Sequence, residues 1–266
     1  MSEIVDISLW RLSLGLVFVL AVGVMSLVHH LQLERDLLVG TLRTVVQLFA
    51  LGYVLKFVFR LDNAWLVLAV FCVMTLFAAQ IARGRIAERQ VSLFWPMFLS
   101  MIISYSITSV LVTGVVIGAE PWWKPQYFIP LAGMVIGNSM NAIAVALDRL
   151  LGDLRKQRAE VELKLCLGAD YREASADVLR SAMRAGMIPS INSMMAVGVV
   201  FIPGMMTGQI LAGLDPLVAI RYQIVVMLML VGSTGLGALL AVLLVRRRCF
   251  GPGQQLLIRP QSPKRK

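Results

Sequence analysis

The chain has 266 residues, 58% of them hydrophobic and only 15% charged, with a mean hydropathy of +0.80. Soluble domains sit near half apolar and a quarter charged, so this composition excludes a soluble globular fold and indicates an all-α, polytopic membrane protein. Seven of the ten net positive charges lie beyond Val245, where Arg246, Arg247, Arg248, Arg259, Lys264, Arg265 and Lys266 stand without an acid. Such a tail after a span marks the cytoplasmic side and can touch anionic lipid headgroups; nucleic acid is not expected as a partner.

About seven spans are predicted. Span 1 covers roughly Ile7 to Val28, behind Glu3 and Asp6, with Arg11 placed to snorkel. It has neither a basic leader nor a small-residue cleavage site, which predicts a retained span rather than a signal peptide. The link HHLQLERD follows, then span 2 from about Leu37 to Phe59, containing Arg43 and Gln47. An arginine near mid-helix costs about 2.5–3.5 kcal/mol on insertion scales, so Arg43 should face the bundle or a cavity, or else snorkel to nearby headgroups. Span 3 runs from Ala64 to Ala82, and span 4, dotted with Ser and Thr, from Phe94 to Gly118. Trp122 and Trp123 are placed for an interfacial belt.

Span 5, Tyr127 to Leu147, and the stretch from Met187 to Gly213, read as span 6, carry no charge. Between them, residues 148–186 hold eight Lys/Arg and seven Asp/Glu, too many to lie in lipid. This segment is predicted to project into water as amphipathic helices broken at Gly168. Span 7 runs from Leu217 to Val245, and the residues from 251 on read as a basic, disordered tail. Counted over the links, Lys and Arg fall on one face, with one after span 1, three in RGRIAERQ, eight in 148–186 and seven in the tail. That alternation predicts an external N-terminus and a cytoplasmic C-terminus. Cys72, Cys166 and Cys249 are scattered and suggest no disulfide framework.

Candidate pathway residues come from two polar stripes. Met134, Asn138 and Asn141 fall at i, i+4, i+7 on span 5, beside Gly133, Gly137, Met140 and Ala144. Asn192, Met195, Val199, Ile202, Met206 and Gln209 follow helical spacing on span 6, where Pro189 and Pro203 interrupt the ladder and Gly204 and Gly208 form a GxxxG. Two readings fit. Amides and small residues glue membrane helices together; amides and thioethers also line a route for a polar or soft-metal cargo. His29, His30 and Glu34 could suggest a metal site, but no third ligand type is in view, and a polar link is the plainer reading. The metal ligands are left open. A proton- or sodium-driven transporter usually carries an acid at membrane depth, and no Asp or Glu falls within a predicted span.

In the charged segment, Glu162 precedes Gly168 by six residues, the acidic-to-glycine spacing of the coupling loop in many ABC-transporter permeases. Glu162, Leu167, Gly168 and Ala169 are the candidate docking knob for an ATPase. RTVVQLFALGYVL from Arg43, PLAGMVIGNSMNAIAVALDRL from Pro130, LGADYREA from Leu167 and IPSINSMMAVGVVFIPGMMTGQILAG from Ile188 resemble the FetB-type permeases. These are membrane subunits of ABC transporters linked to bacterial iron export, with plant relatives tied to aluminium tolerance and UDP-glucose transport. The resemblance implies a seven-span, homodimeric permease of the bacterial inner membrane, exporting iron or another metal ion. A nucleotide sugar or other polar solute is the alternative cargo, with Arg43 meeting phosphate. No GxxxxGK[ST] loop occurs in the chain. The chain is therefore not expected to be an enzyme or to bind a cofactor; ATP would be used by a separate nucleotide-binding subunit.

Overall fold

The computed structural model describes residues 8–86, 88 and 91–258. Glu3, Asp6, Arg89 and the tail's Arg259, Lys264, Arg265 and Lys266 lie outside the described residues. The described chain is all-α. In order it forms α1 (Leu9–Leu14), α2 (Leu16–Val28), α3 (Glu34–Leu61), α4 (Ala64–Arg85) and α5 (Phe94–Val110), which a π-helical turn continues to Val116. Then follow α6 (Pro125–Lys156), α7 (Arg158–Cys166), α8 (Tyr171–Ala174), α9 (Ala176–Ala196), α10 (Gly204–Leu211) and α11 (Pro216–Arg248).

Five of these are long and apolar enough to cross a membrane: α3, α4, α5 with its π turn, α6 and α11. The other two predicted spans are broken. Span 1 divides at Gly15 into α1 and α2. Span 6 departs further from the sequence reading. Its helix starts at Ala176, inside the charged segment, passes through Pro189 and stops at Ala196. Gly198 then takes a left-handed conformation (φ +81°), Gly198 N donates to Phe201 O (3.0 Å), and Pro203 leads into α10. Val197 leaves the helical region (ψ 136°) and Gly198 follows it into the left-handed one, so the ladder does not run from α9 into α10. The expected single stripe from Asn192 to Gln209 is therefore two short faces separated by an irregular loop.

The helices α6 and α11 form the centre. α6 packs on α4, α9 and α11, while α5 packs on α11 and α4. Small residues set the closest approaches. A Cβ on Gly186 of α9 would sit 2.8 Å from both Ala142 O and Ala146 Cβ of α6, so the two helices meet backbone to backbone there. The glycines of the sequence's GxxxG, Gly204 and Gly208, approach nothing within 4 Å. Between α6 and α11, the Ser139 hydroxyl lies 3.2 Å from those of both Ser233 and Thr234, all three buried. Such hydroxyl bonds hold membrane helices together at a modest gain each.

The N-terminal hairpin is different. α2 packs on α3, but α3 meets the bundle sparsely, and Val58 is its one buried residue among those described. At the opposite end of the chain, residues 249–258 fold back on the bundle. Cys249, Phe250, Leu256 and Ile258 are buried, and Phe250 bridges to Leu256. The sequence reading had disorder from 251 onward; here the apolar residues that follow the arginine run give those first eight positions something to bury.

Candidate functional site

The charged segment is where the two long helices of the centre end. α6 spans 32 residues, or about 48 Å, against about 30 Å for a bilayer core. Its last turns therefore emerge into water, carrying Asp148, Arg149, Asp153, Arg155 and Lys156. α9 returns alongside, bringing Asp177, Arg180 and Arg184. Charged side chains tie the pair. The buried Asp153 carboxylate accepts from Arg149 Nε (2.7 Å) and from the Ser181 hydroxyl of α9 (3.0 Å). Arg155 pairs with Glu88, which lies beyond α4.

Between them, α7 and α8 make the knob. Gly168 holds φ +97°, a conformation that an L side chain rarely adopts, and this lets the chain reverse after α7. α8 opens with a capping box: Glu173 N donates to Asp170 Oδ1 (2.7 Å) and Asp170 N to Glu173 Oε2 (3.2 Å). Lys164 pairs with Glu160 on its own helix (2.8 Å) and reaches Asp177 of α9 (3.4 Å), and these carboxylates, Glu160 first, hold its ammonium above the usual lysine range. The C-terminal strap closes the knob from the other side. Arg158 Nη1 donates to Ile258 O (2.9 Å) while its other nitrogens hold Glu162; Tyr171 N donates to Gln254 Oε1 (2.9 Å). The rings of Tyr171 and Phe250 lie 5.5 Å apart, with the Arg246 guanidinium 5.8 Å from the Tyr171 ring.

The candidate knob residues thus come together. Glu162, Gly168 and Ala169 border a cavity of about 630 Å³ shared with Gly253 and Gln254 of the strap. Leu167 is 79% exposed and Leu163 59%. These two leucines stand bare on a charge-laced surface, and burial of each against a partner would be worth about 1.5–3 kcal/mol. The D-x-x-E capping box was readable at Asp170–Glu173. The strap was not, since its partners are a hundred residues away.

The pathway candidates do not form one site. Arg43 and Gln47 lie exposed on α3, apart from the others. Asn138 donates to Met134 O of its own helix (2.9 Å), and Asn141 accepts from Arg85 of α4. Asn141 and Arg85 share a cavity of about 420 Å³ with Asp148 and Arg149, at the charged end. Met195 is 74% exposed, whereas its neighbour Met194 lines a cavity together with Met206. Gln209 Oε1 is buried without a hydrogen-bond partner, as is Gln223 Oε1 on α11, a residue the sequence reading did not single out. Glu34 accepts from the Ser26 hydroxyl (2.7 Å), and no cluster of three His, Cys, Asp or Glu forms among the described residues.

A helical bundle with two broken spans, capped at one end by a charged knob and strap, defines a multi-pass α-helical membrane protein. Its family is an uncharacterised one: the chain belongs to UPF0014, whose model matches residues 9–250. A UPF0014 membrane protein of Synechocystis is 43% identical over 228 residues, covering 86% of this chain and 88% of the relative. The protein of Escherichia coli named as a probable iron export permease, FetB, is 34% identical over 247 residues, covering 93% and 94%. ALUMINUM SENSITIVE 3 of Arabidopsis thaliana is 34% identical over 243 residues, covering 91% and 87%. No solved structure matches the chain. The relatives' names describe permease and membrane proteins, which suggests a transporter rather than an enzyme.

Proposed function

We propose that the chain is the membrane-spanning permease subunit of an ABC-type exporter of metal ions, driven by a separate ATPase that docks on the α7–α8 knob. The E. coli relative's name supports a permease and an iron cargo. The observation that carries the docking reading is the pair of bare leucines, Leu163 and Leu167, on a knob joined directly to α6 and α9. Apolar residues exposed on a charged, projecting element can be covered by a membrane surface or by another protein, and the docking reading takes the second. Two copies of the chain pair around one pathway, with the knob and C-terminus in the cytoplasm of a bacterial cell and the N-terminus outside. ATP binding in the partner draws the two knobs together, and α6 and α9, rigid through Gly186, carry that movement into the membrane. Such a switch needs a two-state element biased by nucleotide.

The test measures ATP hydrolysis by the partner subunit with and without this chain. Leu167→Asp and a bulky replacement of Gly168 are each expected to abolish the stimulation. Leu167 is exposed, so its substitution leaves the fold intact and isolates docking. Stimulation equal to wild type in Leu167→Asp would refute the assignment.

A further inference from the structure

We infer that the bare face of α3 around Gln47 is the interface between two copies of this chain. α3 spans 28 residues, about 42 Å against a bilayer core of about 30 Å, and Gln47 is the fourteenth of them. Its amide therefore lies near the membrane midplane, about 20 Å of rise from either end of the helix. The side chain is exposed, and no hydrogen bond ties it to another described residue. Arg43, one turn toward the Glu34 end, is likewise exposed and unpaired among the described residues. The long Arg43 stem can carry its charge to the headgroups; the shorter Gln47 stem cannot. Hydrocarbon gives that amide no partner, so a protein surface has to cover it.

The rest of the chain does not supply that surface. Only the last turns of α3 settle on the bundle, where Val58 is buried and Leu55 packs on the core. The N-terminal helices face another side of α3. There Ser13, Gly15 and Leu16 share a cavity of about 780 Å³ with Thr44, Leu48 and Gly52, and neither Arg43 nor Gln47 borders it.

The pattern on the face selects a second copy as the occupant. Asp36, Gly40, Arg43, Gln47, Ala50 and Val54, all exposed, recur along α3 at alternating steps of four and three. That is the heptad seam on which like helices wind together. Gly40 and Ala50 flank the polar pair, and small residues let membrane helices come close. The Gln47 amide carries both a donor and an acceptor, so across a two-fold axis the amide of one copy satisfies that of the other. Arg43, one step away on the seam, has only donors to offer the same oxygen. A polar residue at one seam position also fixes the register of the pair. An ATPase docked on the knob lies outside the membrane and does not reach this depth.

Pairing itself belongs to the permease reading, on which this interface rests. The full chain, with Cys72 and Cys166 replaced by Ser and Cys249 by Ala, is reconstituted into phospholipid vesicles and oxidised with copper phenanthroline. Ala50→Cys, on the seam one turn from Gln47, should form a covalent dimer. Val73→Cys, 53% exposed on α4, should not. Gln47→Leu suits a lipid-facing surface and should weaken association about tenfold, read by energy transfer between labelled copies in vesicles. Gln47→Asn keeps the amide and should restore most of that loss. Gln47 is exposed, so a melting curve equal to wild type verifies the fold of each variant. Association of Gln47→Leu equal to wild type, or cross-linking of Val73→Cys but not of Ala50→Cys, would overturn the interface. A chain that pairs while Ala50→Cys stays uncross-linked keeps the dimer of the permease reading and loses α3 as its interface. A chain that stays monomeric in vesicles loses both.

Discussion

The two ends of the bundle differ in how densely their charged side chains are tied together. At the knob, charged and polar side chains are tied to one another: Asp153 to Arg149 and Ser181, Lys164 to Glu160 and Asp177, Arg158 to Glu162 and Ile258. At the far end, the amide oxygens of Gln209 and Gln223 are buried and unpaired, and the helix joining the two ends stops at Ala196. Cross-links make an end stiff, and an end with few of them opens more readily. A single chain thus carries a cross-linked handle and a sparsely tied far end, joined by α6, α9 and α11.

The sharpest way to break this contrast is to remove the strap. Ending the chain at Gly251 discards the buried Leu256 and Ile258, an expected loss of about 3–6 kcal/mol by burial of two such side chains. Thermal unfolding in detergent measures it. Burial also pushes the Cys249 thiol up to about 12, so it stays protonated at pH 8 and should resist maleimide once Cys72 and Cys166 are replaced by Ser. The truncated chain should label. An unshifted melt with Cys249 still protected would mean the strap holds nothing.

Next in size is Gly186→Val. The new Cβ would meet Ala142 O and Ala146 Cβ at 2.8 Å, an overpacking cost of about 1–3 kcal/mol. A melt at the wild-type temperature would show slack between α6 and α9, and the handle would not be stiff. The smallest effect should carry the opposite sign. Gln223→Leu removes a buried, unpaired acceptor and is expected to raise stability by about 1 kcal/mol, read from thermal unfolding in detergent.

How far the sequence revealed this depends on the range of the interactions. Apolar length alone located α3, α4, α5, α6 and α11, because a bilayer demands about twenty residues of one character. Gly168 was legible as a turn for a local reason, the release from Cβ crowding. The break at Val197–Pro203 was half visible: Pro203 announced it, but Pro189, an equally loud signal, sits inside α9 without ending it. Neighbouring helices re-satisfy what a proline frees in a membrane bundle. The site was least legible. Spacing on one helix grouped Met195 with Met206, whereas in the structure Met195 is 74% exposed and Met194 lines a cavity with Met206, because the rotation of α9 against α11 is set by contacts that no linear pattern records.

The N-terminal hairpin carries its own consequence. With Val58 as its one buried residue among those described, α3 draws little support from the rest of the chain. Regions with few internal contacts open first. Extraction into detergent should therefore free residues 34–61 before any other helix, and amide hydrogen exchange would register that order as a front advancing from the N-terminus toward α6.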